Sequence, residues 1–330
     1  MTRTESLQAA IDGKAKPLGS LGRIEELAVL LGCLQDTGRP RVTDPVLLVF
    51  AGDHGAVASG ISAYPSSVTG AMVEMYLNGR AAANLFARQA GARMVVVDAG
   101  VASAVAPHPG LLSARIGPGT QDWVHGPAMN PAEVQAALST AAAVVDVLLD
   151  GGCTLLALGD MGIGNTASAA LLVHKVAGLP LDWLVGRGAG LDDAGLQAKR
   201  DAVARGAART ANRLPPAEAL SQYGGYEIAM LTGAILEAAR RRVCVVVDGV
   251  IVTAAAVLAH AMDPECLQVC VFAHRSAERG HDEMLAHLGV RPLLDLGMRL
   301  GEGTGAALAI PLLQAAVAML SDMADLRDVM

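Results

Sequence analysis

From residue 45 onward, short apolar runs alternate with longer segments whose apolar residues recur at helical spacing. Five runs have the pattern of buried strands: Val46 to Phe50, Met94 to Val97, Leu155 to Leu158, Cys244 to Val247 and Val269 to Phe272. Leu293 to Leu296 is a possible sixth strand. Strands that alternate with helices are typical of an α/β protein. The pattern therefore predicts a doubly wound, mostly parallel sheet with helices on both faces.

The N-terminal 40 residues lack a strand pattern. Apolar residues recur at helical spacing between positions 21 and 31, after a break at Pro17 and Gly19, which predicts a helix there. We expect residues 1–40 to pack with about 303–330 as a small helical subdomain. Residues 41–302 then form the α/β domain, with its site at the carboxyl ends of the strands.

Composition narrows the class of protein. Hydrophobic residues make up 52% of the 330 positions but aromatic residues only 3%, so Ala, Val, Leu and Met must fill the core. The net charge is −7 and no Lys/Arg-rich run occurs, which argues against partners such as nucleic acid or an anionic membrane. The nearest approach to a membrane span, residues 243–262, is divided by Asp248 and Gly249 and reads as a strand followed by a helix.

Cysteine usage and the N-terminus indicate a cytoplasmic protein. The five cysteines are odd in number and include no C-x-x-C pair, which is typical of buried thiols in a reducing compartment. The first 26 residues carry charges and contain no apolar signal-peptide core.

The stretch LLALGDMGIGNT, residues 155–166, carries the clearest chemical signal. It reads as a buried strand, a glycine-rich turn and the start of a helix capped by Asn165 or Thr166. A helix that begins at such a turn directs backbone N–H groups and a positive dipole end toward the loop, where an anion binds.

Two other interpretations of this stretch stay open. In one, the glycines serve only a tight turn between strand and helix. Alternatively, Gly162, Gly164 and Ala167 fit the dinucleotide-binding fingerprint, with Asp182 as the ribose-binding acid. Asp182 begins an apolar run at 181–185 instead of ending a second strand, which counts against the fingerprint.

Polar residues follow most of the predicted strands: Asp53, His54, Asp98, Asp160, Asp248, His274 and Arg275. The carboxyl ends of parallel strands meet at one edge of a sheet, so these residues should gather there. Each also has a structural alternative, since Asp98 and Asp248 suit caps of the helices that follow them and a lone histidine is more often structural. The histidines do not pair at metal-ligand spacing, so we predict no metal.

Two further glycine turns carry candidate chemistry. The turn at 186–190 precedes a helix with Lys199, a point-charge partner for phosphate unless it is a solvated surface residue. In LGEGTGA, residues 300–306, Glu302 lies between glycines just before an apolar helix. Burial would raise the pKa of Glu302 and suit it to act as a general base, although it could also stand in for an N-cap.

Taken together, these motifs resemble the nicotinate-nucleotide:dimethylbenzimidazole phosphoribosyltransferases, which build the lower-ligand nucleotide of cobalamin. The resemblance runs almost end to end. It rests on KPLGSLGR (16–23), AGDHGAVASGISAYPSSVT (51–69), GDMGIGNT (159–166), GRGAGLDD (186–193), VVVDGVI (245–251), AHRSAE (273–278) and LGMRLGEGTGA (296–306).

The resemblance implies transfer of a phosphoribosyl group from nicotinate mononucleotide to a benzimidazole nitrogen. It implies no metal or redox cofactor, and it implies that the enzyme is a homodimer. Glu302 matches the general base of the family. The resemblance places phosphate and ribose at Asp160, Met161, Gly162, Ile163, Gly164, Asn165, Gly186, Gly188 and Lys199. It places the base at Ser62, Tyr64, Pro65 and Leu300.

Two positions depart from the family pattern. Asp160 stands where a Glu is usual, and the Gln of the usual VTAQM pattern is missing near Ala71. The accepted base could therefore be adenine, a phenol or another benzimidazole. An NAD-dependent oxidoreductase and a non-catalytic nucleotide sensor are the alternative functions.

Overall fold

The computed structural model describes residues 2–329, which contain one sheet of six strands. The strands are β1 (Val46–Gly52), β2 (Arg93–Gly100), β3 (Leu111–Ser113), β4 (Leu155–Met161), β5 (Cys244–Val247) and β6 (Cys270–Phe272). Their spatial order is β3-β2-β1-β4-β5-β6, and every neighbouring pair is parallel. The predicted α/β class and parallel sheet are confirmed.

The helices of the described residues fall before, between and after these strands. They are α1 (Arg3–Asp12), α2 (Arg23–Leu34), α3 (Ser67–Leu77), α4 (Ala82–Gln89), α5 (Pro131–Asp150), α6 (Asn165–Ala177), α7 (Leu181–Leu184), α8 (Asp193–Ala207), α9 (Pro216–Tyr223), α10 (Tyr226–Arg240), α11 (Val250–Met262), α12 (His281–Leu288) and α13 (Thr304–Asp322). Short 3-10 helices occur at Gly55–Ser59, Pro264–Val269 and Leu326–Asp328.

Alternate residues of each central strand face opposite layers of helices. In β1, Val46, Leu48 and Phe50 join one apolar cluster with α5, α6 and α9–α12. Leu47 and Val49 join a second cluster with α1–α4 and α13. Because β1 is buried on both faces, its sequence is a continuous apolar run without alternation.

The sequence located five of the strands and missed one. The run at 293–296 is not a strand, since it forms only a single bridge, between Leu294 and His274. The sixth strand is instead β3, a short and largely exposed edge strand without an apolar run. The first four residues of the 181–185 run fold as α7, and Val185 is its C-cap.

The two ends of the chain lie together. Lys14 Nζ donates to the Met323 carbonyl at 2.9 Å and Ala15 N donates to the Ala324 carbonyl at 2.9 Å. Residues of α1, α2 and α13 also belong to the apolar cluster on one face of the sheet. The division into a helical subdomain and an α/β domain remains a prediction.

Two helices, α5 and α13, are long and apolar enough to cross a membrane by length and composition. In the structure α5 packs on α10, and α13 packs on α2, α4 and the sheet, so both are layers of the α/β fold. Residues 243–262 form β5 and α11, as the sequence predicted.

Candidate active site

A cavity of about 560 Å³ lies beyond the carboxyl ends of β4 and β5. Its wall comes from the segment around α3, the β4–α6 turn, the 188–190 turn, the start of α11 and the loop before α13. The volume is in the range of small-molecule sites. The position also fits, since ligands of doubly wound sheets bind outside the strand carboxyl ends near the point where strand order reverses, here between β1 and β4.

The β4–α6 turn requires glycine because backbone segments approach it closely. A Cβ on Gly162 would lie 2.5 Å from the Gly52 carbonyl oxygen, and one on Gly159 would lie 2.7 Å from Gly303 N. β4 extends past the apolar run, because Gly159 and Asp160 continue to pair with β1. These contacts bring the turn and the loop before α13 to the same wall of the cavity.

Helix α6 begins at Asn165, as predicted, but neither predicted capping residue is the cap. The N-cap is Gly164 in the left-handed conformation, and it provides no side-chain cap. The Asn165 side chain instead donates from Nδ2 to Asp160 Oδ2 at 2.8 Å. The start of α11 is also uncapped by any side chain. Two helix N-termini therefore face the cavity with positive dipole ends, an arrangement suited to anions.

Asp160 lines the cavity, and its pKa is far above that of an ordinary aspartate. Burial raises the pKa of Asp160 to about 8, with the charges of Asp248, Glu227 and Glu302 adding to the rise and the Asn165 hydrogen bond opposing it. The Asp160 carboxyl group is therefore mostly protonated at pH 7.

Glu302 lines the cavity beside the glycine turn, and its backbone is strained. Its φ of 63° is left-handed, between Gly301 at 80° and Gly303 at 78°. Such a conformation costs a non-glycine residue about 1–3 kcal/mol and persists where the surroundings enforce it, commonly at functional sites. The residue is not an N-cap, because Gly303 holds that position.

The pKa of Glu302 suits proton transfer at neutral pH. Burial raises it to about 7, the nearby Tyr76 hydroxyl lowers it and the charge of Asp248 raises it. Tyr76 is close enough to influence Glu302, although its hydroxyl does not reach hydrogen-bond geometry with any described residue. A carboxyl group with a pKa near the working pH is well matched to general acid–base catalysis.

Lys199 is buried, not a solvated surface residue. Its Nζ donates to Thr166 Oγ1 at 2.8 Å and to the Gly186 carbonyl at 3.0 Å, and so links α6 to the turn at 186–190. Burial lowers the pKa of Lys199 to about 8. Glu278 holds the same turn from the other side, accepting from Gly188 N at 3.1 Å.

The predicted site residues divide into cavity-lining and supporting groups. The cavity is lined by Tyr64, Asp160, Met161, Gly162, Ile163, Asn165, Gly188, Leu300 and Glu302. The residues that do not line it are Ser62, Pro65, Gly164, Gly186 and Lys199. Ser62 serves the backbone, since its Oγ accepts from Tyr64 N at 3.1 Å.

The sequence analysis missed several lining residues. Val68 and Met72 are one helical turn apart on α3 and add to the apolar wall, while Thr166 and Glu278 contribute polar groups. Arg299 is the only Lys or Arg that lines the cavity in residues 2–329. The i, i+4 spacing of Val68 and Met72 was a usable signal, whereas Glu278 depends on a contact between distant loops.

Three other strand-end residues, Asp248, Asp98 and His54, form hydrogen bonds within the protein and do not line the cavity. Asp248 does not cap the helix that follows it, because its carboxylate accepts from Gly303 N and Ala306 N at the start of α13. Asp98 caps no helix and accepts from Val101 N in a loop. His54 is buried between Ser168 Oγ at 3.0 Å and Glu227 Oε1 at 2.7 Å.

The dinucleotide-binding interpretation does not fit the topology. The strand order is the one common in dinucleotide-binding proteins, but there the glycine fingerprint follows the first strand, whereas this glycine turn follows β4. Asp182 lies within α7 and does not end a strand. Fold and site together define an α/β protein with a cavity of small-molecule size at the carboxyl edge of a parallel sheet and the Glu302 carboxyl group in the cavity wall.

Comparison with known proteins identifies the family. A family model described as phosphoribosyltransferase matches residues 2–329, so the chain belongs to this phosphoribosyltransferase family, and the enzyme class implied by the resemblance is confirmed. A curated relative from Aromatoleum aromaticum, named nicotinate-nucleotide–dimethylbenzimidazole phosphoribosyltransferase, is 51% identical over 97% of this chain and 93% of its own. One from Photobacterium profundum with the same name is 44% identical over 98% and 95%.

A solved structure shares the fold over almost the whole chain. The crystal structure of CobT from Thermus thermophilus is 43% identical and covers 99% of this chain and 98% of its own, with a TM-score of 0.95. The likeness therefore extends to the N- and C-terminal helices as well as the sheet.

Proposed function

We propose that the protein transfers the phosphoribosyl group of nicotinate mononucleotide to 5,6-dimethylbenzimidazole or a related lower base. The products are α-ribazole 5'-phosphate and nicotinate, within assembly of the cobalamin nucleotide loop. The names of the relatives support the reaction. The observation that carries it is Glu302, a carboxyl group with a pKa of about 7 at the wall of a nucleotide-sized cavity.

The chemistry requires one proton acceptor. A neutral benzimidazole nitrogen attacks C1' of the ribose, the bond from C1' to the nicotinate nitrogen breaks, and nicotinate leaves with the bonding electron pair. The proton on the other benzimidazole nitrogen passes to Glu302, whose carboxylate also stabilises the positive charge that develops on the ring. No metal or redox cofactor enters this scheme.

Phosphate and ribose are assigned to the glycine-turn side of the cavity. The uncapped start of α6 supplies backbone N–H groups, and Arg299 supplies a positive charge. Lys199 does not line the cavity, but it donates to Thr166, which does, and to the Gly186 carbonyl, so its charge is assigned to the phosphate from behind this wall. Asp160 and Asn165 line the cavity beside this turn and are assigned to the ribose.

The base is assigned to the apolar wall formed by Tyr64, Val68, Met72 and Leu300. Tyr64 and Leu300 are 48% and 56% exposed, so a flat aromatic ring that stacks there covers apolar surface now open to water. Which ring is preferred depends on Asp160 and on the missing Gln near Ala71.

A turnover assay across several bases tests this proposal. The protein is incubated with nicotinate mononucleotide and dimethylbenzimidazole, adenine, benzimidazole or a phenol, and nicotinate and the riboside phosphate are quantified by liquid chromatography and mass spectrometry. Reactions without base control for hydrolysis of the nucleotide. We expect nicotinate and the riboside phosphate in equal amounts. No nicotinate release with any base would contradict the proposal and favour a nucleotide sensor.

The cellular setting is proposed on the same footing. Five free thiols and a net charge of −7 fit a cytoplasmic enzyme whose partners are small-molecule substrates, without nucleic acid or membrane. The family resemblance and the mean hydropathy of +0.41 support a homodimer.

A further inference from the structure

Asp248 joins the end of β5 to the loop that carries Glu302. It is fully buried, and its Oδ2 accepts from Gly303 N at 3.0 Å while its Oδ1 accepts from Ala306 N at 2.9 Å. Ala306 is the third residue of α13, the position whose N–H an N-cap side chain normally binds. Because the N-cap is Gly303, which has no side chain, Asp248 performs this role from another element.

The loop needs such an anchor because three successive residues are left-handed. Gly301, Glu302 and Gly303 all have φ between 63° and 80°. The Gly159 backbone lies close to Gly303 on the β4 side. On the β5 side, Asp248 accepts a hydrogen bond from Gly303 N. The backbone at Glu302 is therefore fixed from both sides, which fixes the direction from which its carboxylate enters the cavity.

The charged groups around this anchor define its electrostatic effect. His274 Nε2, at the end of β6, lies 3.6 Å from Asp248 Oδ1. Burial raises the pKa of the Asp248 carboxyl group, and the nearby His274 and the N–H groups of Ala306 and Gly303 counter that rise because they stabilise the ionised form. Glu302 is faced by Tyr76 from α3 and by the carboxyl groups of Asp248 and Asp160.

We propose that Asp248 is a positioning residue for the general base: its buried carboxylate holds the Gly301–Gly303 backbone in the left-handed conformation and places a negative charge near Glu302. This inference rests on the proposed function and goes beyond it, since Asp248 does not line the cavity. The anchor directs the Glu302 carboxylate toward the substrate proton, and the charge makes Glu302 a stronger base.

Loss of the charge and loss of the anchor have different signatures. Without the negative charge, the pKa of Glu302 falls toward its ordinary value, so the acidic limb of the kcat profile moves to lower pH by roughly one unit. Without the second N–H acceptor, the loop is less well placed, and kcat at its optimum falls about ten- to hundredfold. A role confined to folding would change stability and leave the acidic limb in place.

The test compares Asp248→Asn with Asp98→Asn by measuring kcat for nicotinate release between pH 5 and 9. Asp98 is the matched control because it is also a buried strand-end carboxyl group that accepts a backbone N–H, from Val101, and it does not line the cavity. We expect the loss of kcat and the shifted limb in Asp248→Asn alone. A wild-type profile in Asp248→Asn, or the same change in Asp98→Asn, would overturn the proposal.

Two further variants complete the test. Asp248→Ser keeps a neutral acceptor for the N-terminus of α13. It is measured in the same way if the Asn variant does not fold. If neither variant folds, the role of Asp248 lies in stability, and this result would also overturn the proposal. Thr304→Val removes a neutral anchor, the 2.7 Å bond from Thr304 Oγ1 to the Gly301 carbonyl. It should lower kcat without moving the limb, and a shifted limb there would contradict the assignment of the shift to charge. An inactive wild-type enzyme would instead refute the proposed function.

Discussion

At the scale of single residues, the site stores electrostatic free energy in buried carboxyl groups. Burial raises the pKa of Asp160 to about 8 and that of Glu302 to about 7, whereas the ordinary values are 3.8 and 4.5. The folded state therefore holds protons that the unfolded state releases. The stability of the protein should fall as pH rises across this interval, because ionising these groups in the folded state is unfavourable.

Replacement of Asp160 tests this interpretation. Asp160→Asn keeps an acceptor for Asn165 and cannot ionise, so it should stabilise the protein increasingly between pH 4.5 and 8, on the order of a few kcal/mol at the upper end. Denaturant unfolding at several pH values measures the difference. Asp282→Asn is the control, since Arg275 lowers the pKa of Asp282 and the small effect there should have the opposite sign. A pH-independent difference for Asp160→Asn would contradict the account.

Of the two carboxyl groups at the loop before α13, the sequence predicted the role of Glu302 but not that of Asp248. Glu302 was predicted from its position between glycines before an apolar helix, and it lines the cavity. The role of Asp248 was not predictable, because its partners lie 55 and 58 positions away. From the sequence it could only be expected to cap the helix that follows it.

At the scale of elements, apolar runs predicted the central strands well and the polar ends poorly. β5 has the predicted bounds, Cys244–Val247, but β4 continues through Gly159 and Asp160, where no apolar pattern remains. Edge strand β3 was missed because it is short and not buried. The pattern of apolar residues along a sequence reflects burial. Strands that are exposed or that continue through glycine are therefore hard to predict from it.

Lys199, on α8, links helix α6 to the turn at 186–190. Lys199→Ala removes the bonds to Thr166 and to the Gly186 carbonyl, together with the charge assigned to the phosphate. The KM for nicotinate mononucleotide should rise at least about tenfold, with little change in the KM for the base. Steady-state kinetics with each substrate varied in turn measures both constants.

A second buried lysine provides the matched control. Lys175 lies on α6, donates to the Ala207 and Ala211 carbonyls and does not line the cavity. Lys175→Ala should lower stability and leave the nucleotide KM near the wild-type value. Equal effects of the two variants on that KM would mean that Lys199 acts only through folding.

At the scale of the whole molecule, the fold was predictable because one rule applies throughout the sheet. Apolar strands alternate with helices, and parallel strands bring the chemistry of distant segments to one edge. Which strand-end residues actually meet the ligand was not predictable in this way. Asp160 lines the cavity, whereas Asp53 and Asp98 do not, because loop paths decide the final position of each side chain.

The oligomeric state is the prediction that belongs to this scale. We expect a homodimer at micromolar concentration, because the family resemblance implies one and a chain with a mean hydropathy of +0.41 has more apolar surface than one core is expected to bury. Light scattering coupled to size exclusion should return about twice the monomer mass of 33.7 kDa. A mass near that of the monomer, unchanged as concentration rises, would contradict the expectation.

The central claim is that Glu302 is the base in phosphoribosyl transfer, and one comparison tests it most directly. Glu302→Gln keeps the size of the side chain but cannot accept a proton, and general-base catalysis typically contributes about 10²- to 10⁴-fold. The account predicts that kcat for nicotinate release in the presence of dimethylbenzimidazole falls by roughly two orders of magnitude or more, while nicotinate mononucleotide binds as before and Asp160→Asn is less damaging. Near-normal kcat in Glu302→Gln, or a larger loss in Asp160→Asn, would contradict it and make Asp160 the candidate base.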